Sequence, residues 1–288
     1  MTPQFSVVVP VYNRDWELRR ALNCLLAQTN QDFECLIVDD GSSNDISSIV
    51  AEYDGRFKYI GMPKNSGPSA ARVEAFRAMK GDYLFFLDSD NEVFPWTLAR
   101  ASNLLDEHPS VNGVSGLYLF PDGLRVRVSG GISVLTPKEY AKGRTSRVDM
   151  VGAVRRPVVQ EWAAKDPAYY SAEFHLWLTY HMNNSHLVVD EPWGRYNVSP
   201  GAQVTTTPDP RKHEDTRRFV SEHQPVFRNI PCTPLDEFLS SEWIRLARAK
   251  QDTTFLELWM RERRLSKTKA ISCRIIEKLS KRTRSRWI

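Results

Sequence analysis

The run Tyr83-Leu84-Phe85-Phe86-Leu87 stops at two aspartates that straddle a serine, Asp88-Ser89-Asp90. Five consecutive apolar or aromatic residues read as a buried strand. Two carboxylates at its end put negative charge at the strand's carboxyl edge, where open α/β sheets bind ligands. Carboxylates packed this close repel each other, and a divalent cation with oxygen ligands relieves the repulsion. A cation there would in turn attract a diphosphate.

The residues before this run alternate between strand and helix patterns. Phe5–Val9 reads as a strand, followed by a helix with Leu18, Leu22, Leu25 and Leu26 at helical spacing. Glu34–Val38 is a second strand, and a helix from about Asp45 leads to a third strand near Phe57–Gly61. Another helix begins near Ser66 or Ser69, with Ala71, Ala75, Ala78 and Met79 along one face. Pro95 suits the first turn of a helix through Leu98, Ala101 and Leu105. The rhythm predicts an α/β fold, with a mostly parallel sheet flanked by helices and right-handed crossovers.

The pattern changes after residue 110. Val111–Phe120 and Arg125–Val134 read as strands joined by the turn Pro121-Asp122-Gly123. A helical piece follows around Ser171–Met182, then strands near His186–Asp190 and Arg195–Val198. Residues 206–234 read as an irregular linker rich in Thr, Pro and charge, and 235–288 as a helical, basic C-terminal extension. In that extension Ile271, Ile275 and Leu279 recur at four-residue spacing.

At 288 residues and 41% apolar content, the chain suits a soluble globular protein. No apolar run nears the roughly 20 residues that span a bilayer. No basic stretch precedes the short apolar run at 5–12, so a signal peptide is not expected. Cys24, Cys35, Cys232 and Cys273 form no CxxC pair, and the first two sit inside apolar patterns. Together these features suggest a reducing, cytoplasmic setting. Over 261–288, eleven basic residues face only Glu262 and Glu277, a charge of +9 that leaves −5 for the rest of a chain of net +4.

Three clusters fall at the ends of putative strands. Asp39-Asp40-Gly41-Ser42 offers acceptors for a pyrimidine imide N–H or a ribose hydroxyl. Equally, it suits a strand-to-helix turn in which Ser42, Asn44 or Asp45 is a helix cap. Asn65-Ser66-Gly67-Pro68-Ser69-Ala70-Ala71-Arg72 can open its helix towards an anion, with Arg72 reaching a nucleotide, or can be plain capping with a surface arginine. The Asp88 and Asp90 pair can itself be a surface feature near a helix start. All three clusters, however, end successive parallel strands and so converge on one edge, which favours a joint ligand site over three unrelated turns.

In order and spacing, Val9-Pro10-Val11-Tyr12-Asn13, Val38-Asp39-Asp40-Gly41-Ser42, Asn65-x-Gly67, Ala71-Arg72 and Phe86-Leu87-Asp88-Ser89-Asp90 resemble the family 2 inverting glycosyltransferases with the GT-A fold. The resemblance covers residues 5 to about 100 and continues more weakly to about 205. It implies a GT-A domain over 1–205, with a nucleotide-binding half at 1–110 and an acceptor half at 111–205. It implies transfer of a sugar, with inversion, from a nucleotide diphosphate, with a UDP-sugar expected, to an acceptor hydroxyl on a lipid-linked or surface glycan. Pro10, Tyr12, Asn13 and Asp39 or Asp40 would border the nucleoside, while Asn65, Gly67, Arg72, Asp88 and Ser89 would complete the nucleotide-sugar site. Asp90, with Asp88, would hold Mn²⁺ or Mg²⁺ against the diphosphate. The base would come from Ala172-Glu173-Phe174-His175-Leu176-Trp177, where one acid of the family's pair survives as Glu173; first-turn helix stabilisation is its alternative role.

Two departures stand out. Asn91 occupies the place of a further acid, and Tyr196-Asn197-Val198-Ser199-Pro200-Gly201 puts serine where many members have a metal-ligating histidine. His213 is a distant substitute. Trp162, Trp177 and Trp193 offer a sugar-stacking face or core packing. The basic tail at 261–288 fits packing on the body, peripheral binding at the anionic inner face of a membrane, or nucleic-acid binding with a modified base as acceptor. A nucleotide-sugar-binding scaffold without catalysis is the remaining alternative.

Overall fold

The structure is a computed structural model. It describes residues 2–124, 128, 130–141, 150–164, 177, 180–197, 211, 214, 215, 217, 218, 221, 239 and 254–262. The chain divides into two compact units, one of 1–134, 148–171 and 185–207, the other of 135–147, 172–184 and 208–288.

The first unit is built on a ten-stranded mixed sheet. Its strands are β1 (Phe5–Val11), β2 (Phe33–Asp39), β3 (Phe57–Gly61), β4 (Tyr83–Phe86), β5 (Glu92–Val93), β6 (Gly113–Phe120), β7 (Gly123–Leu124), β8 (Ile132–Leu135), β9 (Met150–Arg155) and β10 (His186–Arg195). They run in the order β3-β2-β1-β4-β9-β6-β10-β5, with β7 on β6 and β8 on β10. β3, β2, β1 and β4 are mutually parallel. Every residue of β1 and β2 is buried, which explains the apolar runs Val7–Val11 and Cys35–Val38. Helices α1 (Asp15–Leu26), α2 (Ile46–Val50), α3 (Pro68–Ala78) and α4 (Thr97–Glu107) follow the early strands. α6 (Arg156–Ala164) also belongs to this unit, while α5 (Pro137–Ala141) and α7 (Thr254–Glu262) lie in the second, where residues 177, 180–183 and positions between 211 and 221 are helical as well. α1 buries Leu18, Ala21, Leu22 and Leu25, and α4 buries Leu98, Ala101, Leu104 and Leu105.

Pro10 marks where the sheet opens. β4 pairs with β1 only as far as Val8, with the Leu87 N–H closing on the Val8 carbonyl at 3.1 Å. Backbone direction alternates along a strand, so position 10 faces the side that β4 has already left. A missing N–H therefore costs no ladder bond there. The chains of β1 and β4 splay apart at this point into the turns after Val11 and Phe86.

The amino-terminal end of the sheet is closed by a charged network. Glu34 is buried; it accepts from Ser6 Oγ at 2.7 Å and from the Lys80 N–H at 2.7 Å, and pairs with Lys58 Nζ at 2.6 Å. Burial alone would raise its pKa, but the ion pair and these hydrogen bonds outweigh it and hold the carboxyl below its ordinary value. A depressed acid stabilises the fold fully above its unfolded pKa and stops doing so as pH falls through the lower folded value. Glu34→Gln is therefore expected to cost about 2 kcal/mol at neutral pH. Urea unfolding of both proteins should show this gap narrowing as pH falls below the ordinary glutamate range.

The structure departs from the sequence expectation in several elements. After β6 the hairpin returns through Gly123–Leu124; of the strand expected over 125–134, residues 125–127 and 129 lie outside the described residues, Val128, Gly130 and Gly131 are not in a strand, and the next described strand is Ile132–Leu135. β9 was not anticipated, although it fills the centre between β4 and β6, antiparallel to both. The two strands expected near 186–190 and 195–198 are one, β10, which continues through Pro192 by shifts of register on either side of it. α4 starts at Thr97, two residues beyond Pro95, and Met79 caps α3 instead of extending it. The expected segments at 206–234 and 271–279 lie outside the described residues, apart from isolated helical positions in the former.

Candidate active site

The turns after β1, β2 and β4 and the loop opening α3 are tied together by hydrogen bonds in a closed circuit. Asn13, in a left-handed conformation at φ 52°, joins the first two. Its N–H donates to Ser42 Oγ at 2.9 Å, and its Oδ1 accepts from the Ser43 N–H at 2.8 Å. Asparagine tolerates this conformation because its short amide bonds to nearby backbone.

Asp40 joins the β2 turn to the α3 loop. Its two carboxylate oxygens accept from the Ser66 N–H at 2.6 Å and the Gly67 N–H at 2.8 Å. Gly41 lies between them at φ 71°, and a Cβ there would come within 2.6 Å of the Lys64 carbonyl carbon. Glycine is required on both counts. Asp39 is buried and accepts from the Ser42 N–H and from the Tyr59 hydroxyl, each at 2.9 Å. Asp45 caps α2, accepting from the Ser48 N–H at 3.1 Å.

Arg72 joins α3 to the β4 turn, donating from Nη2 to Asp88 Oδ1 at 2.6 Å. The Arg72 side chain is only 7% exposed, whereas that of Asp88 is 45% exposed. A buried cation thus sits behind an open carboxylate. Arg14 closes the circuit back to β1, with Nη1 on Asp90 Oδ2 at 2.5 Å. Burial raises the pKa of Asp90; Arg14 opposes this, and the charge of Asp88 adds to the rise. That last effect shows the two carboxylates sensing each other, the repulsion expected of the motif.

The Asp90 backbone has its own anchors. Its carbonyl accepts from Arg20 Nη2 at 2.6 Å and from Asn197 Nδ2 at 3.1 Å. Asn91, 1% exposed, accepts from the Asn197 N–H at 3.1 Å and donates to Asp88 Oδ2 at 3.4 Å. Tyr118 on β6 is buried beside Asn91, and burial followed by the Asp88 charge raises its hydroxyl pKa well above the ordinary value.

The sequence-predicted residues are placed as follows. Pro10 is buried at the splay, and Tyr12 is 45% exposed beyond it. Asn13, Asp39, Asp40, Gly67, Arg72, Asp88 and Asp90 all belong to the circuit or its immediate supports, with Asn65 on the same loop and Ser89 buried between the two acids. Glu173, Ser199 and His213 lie outside the described residues. Trp193 is fully buried and belongs to the core. Trp177 is ringed by Tyr180 and His181 in the second unit, where burial lowers the His181 pKa to about 3. Arg14, Arg20, Tyr59, Tyr118 and Asn197 were not singled out from sequence. Arg14 directly follows the Tyr12-Asn13 motif, and that adjacency was the available signal.

Among the described residues, no group of three or more His, Cys, Asp or Glu side chains is placed to hold a metal. What Asp88 and Asp90 offer is two hard oxygen donors on one turn. This fits Mg²⁺ or Mn²⁺ completing its shell with phosphate oxygens and water, the usual arrangement for Mg²⁺ at phosphates. It does not fit an all-protein cage.

This architecture, with acidic turns at the carboxyl edge of a mixed sheet, is the GT-A fold of nucleotide-diphospho-sugar transferases. The family model described as glycosyl transferase family 2 matches residues 6–154, and the chain belongs to that family. An uncharacterised glycosyltransferase of Rickettsia conorii is 46% identical over 91 residues, 31% of this chain and 15% of that protein. Poly(ribitol-phosphate) beta-N-acetylglucosaminyltransferase TarS of Staphylococcus aureus is 34% identical over 124 residues, 39% of this chain and 22% of TarS. The crystal structure of TarS residues 1–349 with UDP-GlcNAc superposes with a TM-score of 0.63 at 23% identity, over 83% of this chain and 71% of that one. The matches to the curated relatives thus span a minor part of those proteins' length. No described helix is long and apolar enough to cross a membrane.

Proposed function

We propose that this chain is a metal-dependent inverting glycosyltransferase that moves a sugar from a UDP-sugar to a hydroxyl of a glycan or polyol acceptor. The observation that carries the proposal is the closed circuit from Asn13 through Asp40 and Arg72 to Arg14 and Asp90. It ties an open carboxylate, a second, more buried one and the N-terminus of α3 together at one edge of the sheet. Family membership and the fold shared with TarS, whose structure holds UDP-GlcNAc, support the donor class.

The chain's own residues divide the work. Tyr12, exposed beside the β1 turn, offers its ring to the uracil, and Asp39 and Asp40 border the nucleoside while keeping their turns closed. In this reading Arg72, together with the first N–H groups of α3 beyond Pro68, faces the diphosphate, while the Ser66 and Gly67 N–H groups stay with Asp40. Asp88 and Asp90 would hold Mn²⁺ or Mg²⁺, which would supply Lewis-acid stabilisation of charge on the leaving diphosphate. Glu173 takes the acceptor hydroxyl's proton as that oxygen bonds to the anomeric carbon. The bond from that carbon to the diphosphate breaks on the opposite face, and UDP leaves with the electron pair.

A panel of nucleotide sugars screened by thermal shift, with and without Mn²⁺, tests this reading. Ligands that bind only the native state raise its melting temperature. At least one UDP-sugar should do so, and more strongly with Mn²⁺. A panel that leaves the transition unmoved under both conditions would refute the proposal.

A further inference from the structure

The pairing of Arg14 with Asp90 runs against local preference. Arg14 is the N-cap of α1, at φ −138° and ψ 87°, with no side-chain cap hydrogen bond. Helices favour Ser, Thr, Asp or Asn at that position, and a cation at the helix N-terminus opposes the helix dipole. Asp15 and Glu17 in the first turn offset part of that cost. A residue that breaks a local rule marks a site where something other than folding sets its identity. The left-handed Asn13, pinned to Ser42 and Ser43, presents Arg14 to the β4 turn.

We propose that Arg14 is a resident counterion, occupying the Asp90 carboxylate until a nucleotide diphosphate arrives with its metal, and then passing to the diphosphate. The inference rests on the metal site proposed above. Two features distinguish Arg14 from Arg72. Its side chain is 20% exposed against 7%, so it can leave, whereas Arg72 is enclosed. The Asp90 carbonyl is held independently by Arg20 and Asn197, so the turn keeps its shape when the carboxylate changes partner. Asp90 is only 14% exposed, and such a carboxylate is costly without a counter-charge. Arg14 supplies that charge when no metal is bound.

The consequence is coupled binding. A metal arriving alone must displace Arg14 and leave the guanidinium without its carboxylate. A metal arriving with a diphosphate gives Arg14 a new anion, which its planar fork can grip through two parallel bonds. Metal and nucleotide then strengthen each other's binding by the same factor.

Electron paramagnetic resonance of free Mn²⁺, titrated with the full chain in the absence and presence of UDP, reads this directly. Arg14→Ala and the neutral, similarly shaped Arg14→Gln are expected to bind Mn²⁺ alone about tenfold more tightly than wild type, the size of a partly buried ion pair. UDP should then enhance Mn²⁺ binding less in both variants, while Arg14→Lys, which keeps the cation, should stay near wild type. Equal or weaker binding of Mn²⁺ alone by the folded neutral variants, with wild type still binding Mn²⁺ and UDP together, overturns the counterion role by itself. If wild type binds no Mn²⁺ even with UDP, the metal reading falls and this inference falls with it.

Discussion

Asp90→Asn is expected to lower sugar transfer about 10²–10³-fold, the usual cost of removing one group that stabilises charge on the leaving side. Asparagine keeps the shape of the side chain and the Asp90 carbonyl keeps Arg20 and Asn197, so the turn should persist, with a stability loss of about 1–2 kcal/mol from the weakened pair with Arg14. What is lost is the negative charge that pairs with Arg14 and that the proposed metal would share. Mn²⁺-dependent tightening of UDP binding should fall together with turnover. UDP release from the best donor of the panel, measured beside calorimetric UDP binding, separates the two effects. Full activity in Asp90→Asn would remove this carboxylate from the chemistry.

Glu173→Gln should behave differently. A general base contributes about 10²–10⁴-fold to rate, so transfer should fall by that factor while UDP and Mn²⁺ bind as in wild type. The two variants together distinguish donor binding from acceptor activation. Loss of binding in Glu173→Gln would instead give this residue a structural role. Unchanged turnover would turn the search towards another base, with His175 in the same run as the first substitute.

The first half of the fold, residues 1–110, was largely legible in the sequence, for a physical reason. β1, β2 and most of β4 are buried on both faces, so their apolar runs are continuous and their ends abrupt. The acidic and glycine-bearing turns are visible because they interrupt those runs. β9 was illegible because Gly152 weakens its strand signal. That glycine is demanded by packing, since a Cβ there would lie 2.1 Å from the Val114 carbonyl oxygen. β10 was split in two by Pro192, whose missing N–H is absorbed by shifts of register that no local pattern announces.

In the site, residues inside motifs were found and residues acting across the fold were not. Asp88, Asp90 and Arg72 stand out in the sequence, and the structure places Arg72 behind Asp88. Asp39 and Asp40 remained open between nucleoside binding and turn formation. Their carboxylates do hold the turns. Asn197 and Tyr118 reach the acidic turn from β10 and β6, far away in sequence. Asn91 stood out as a missing acid, and the structure gives it a positive role as the link between Asp88 and Asn197.

If the turns after β1, β2 and β4 and the start of α3 form one nucleotide-diphosphate site gripped through a cation, UDP binding depends on Asp88 and Asp90 through the metal. Calorimetric titration of UDP into wild type and into Asp88→Asn/Asp90→Asn, each with and without Mn²⁺, tests it most directly. One UDP should bind per wild-type chain, far more tightly with Mn²⁺, and Mn²⁺ should bring no enhancement in the double variant. Equal, metal-independent UDP binding by both proteins would contradict it.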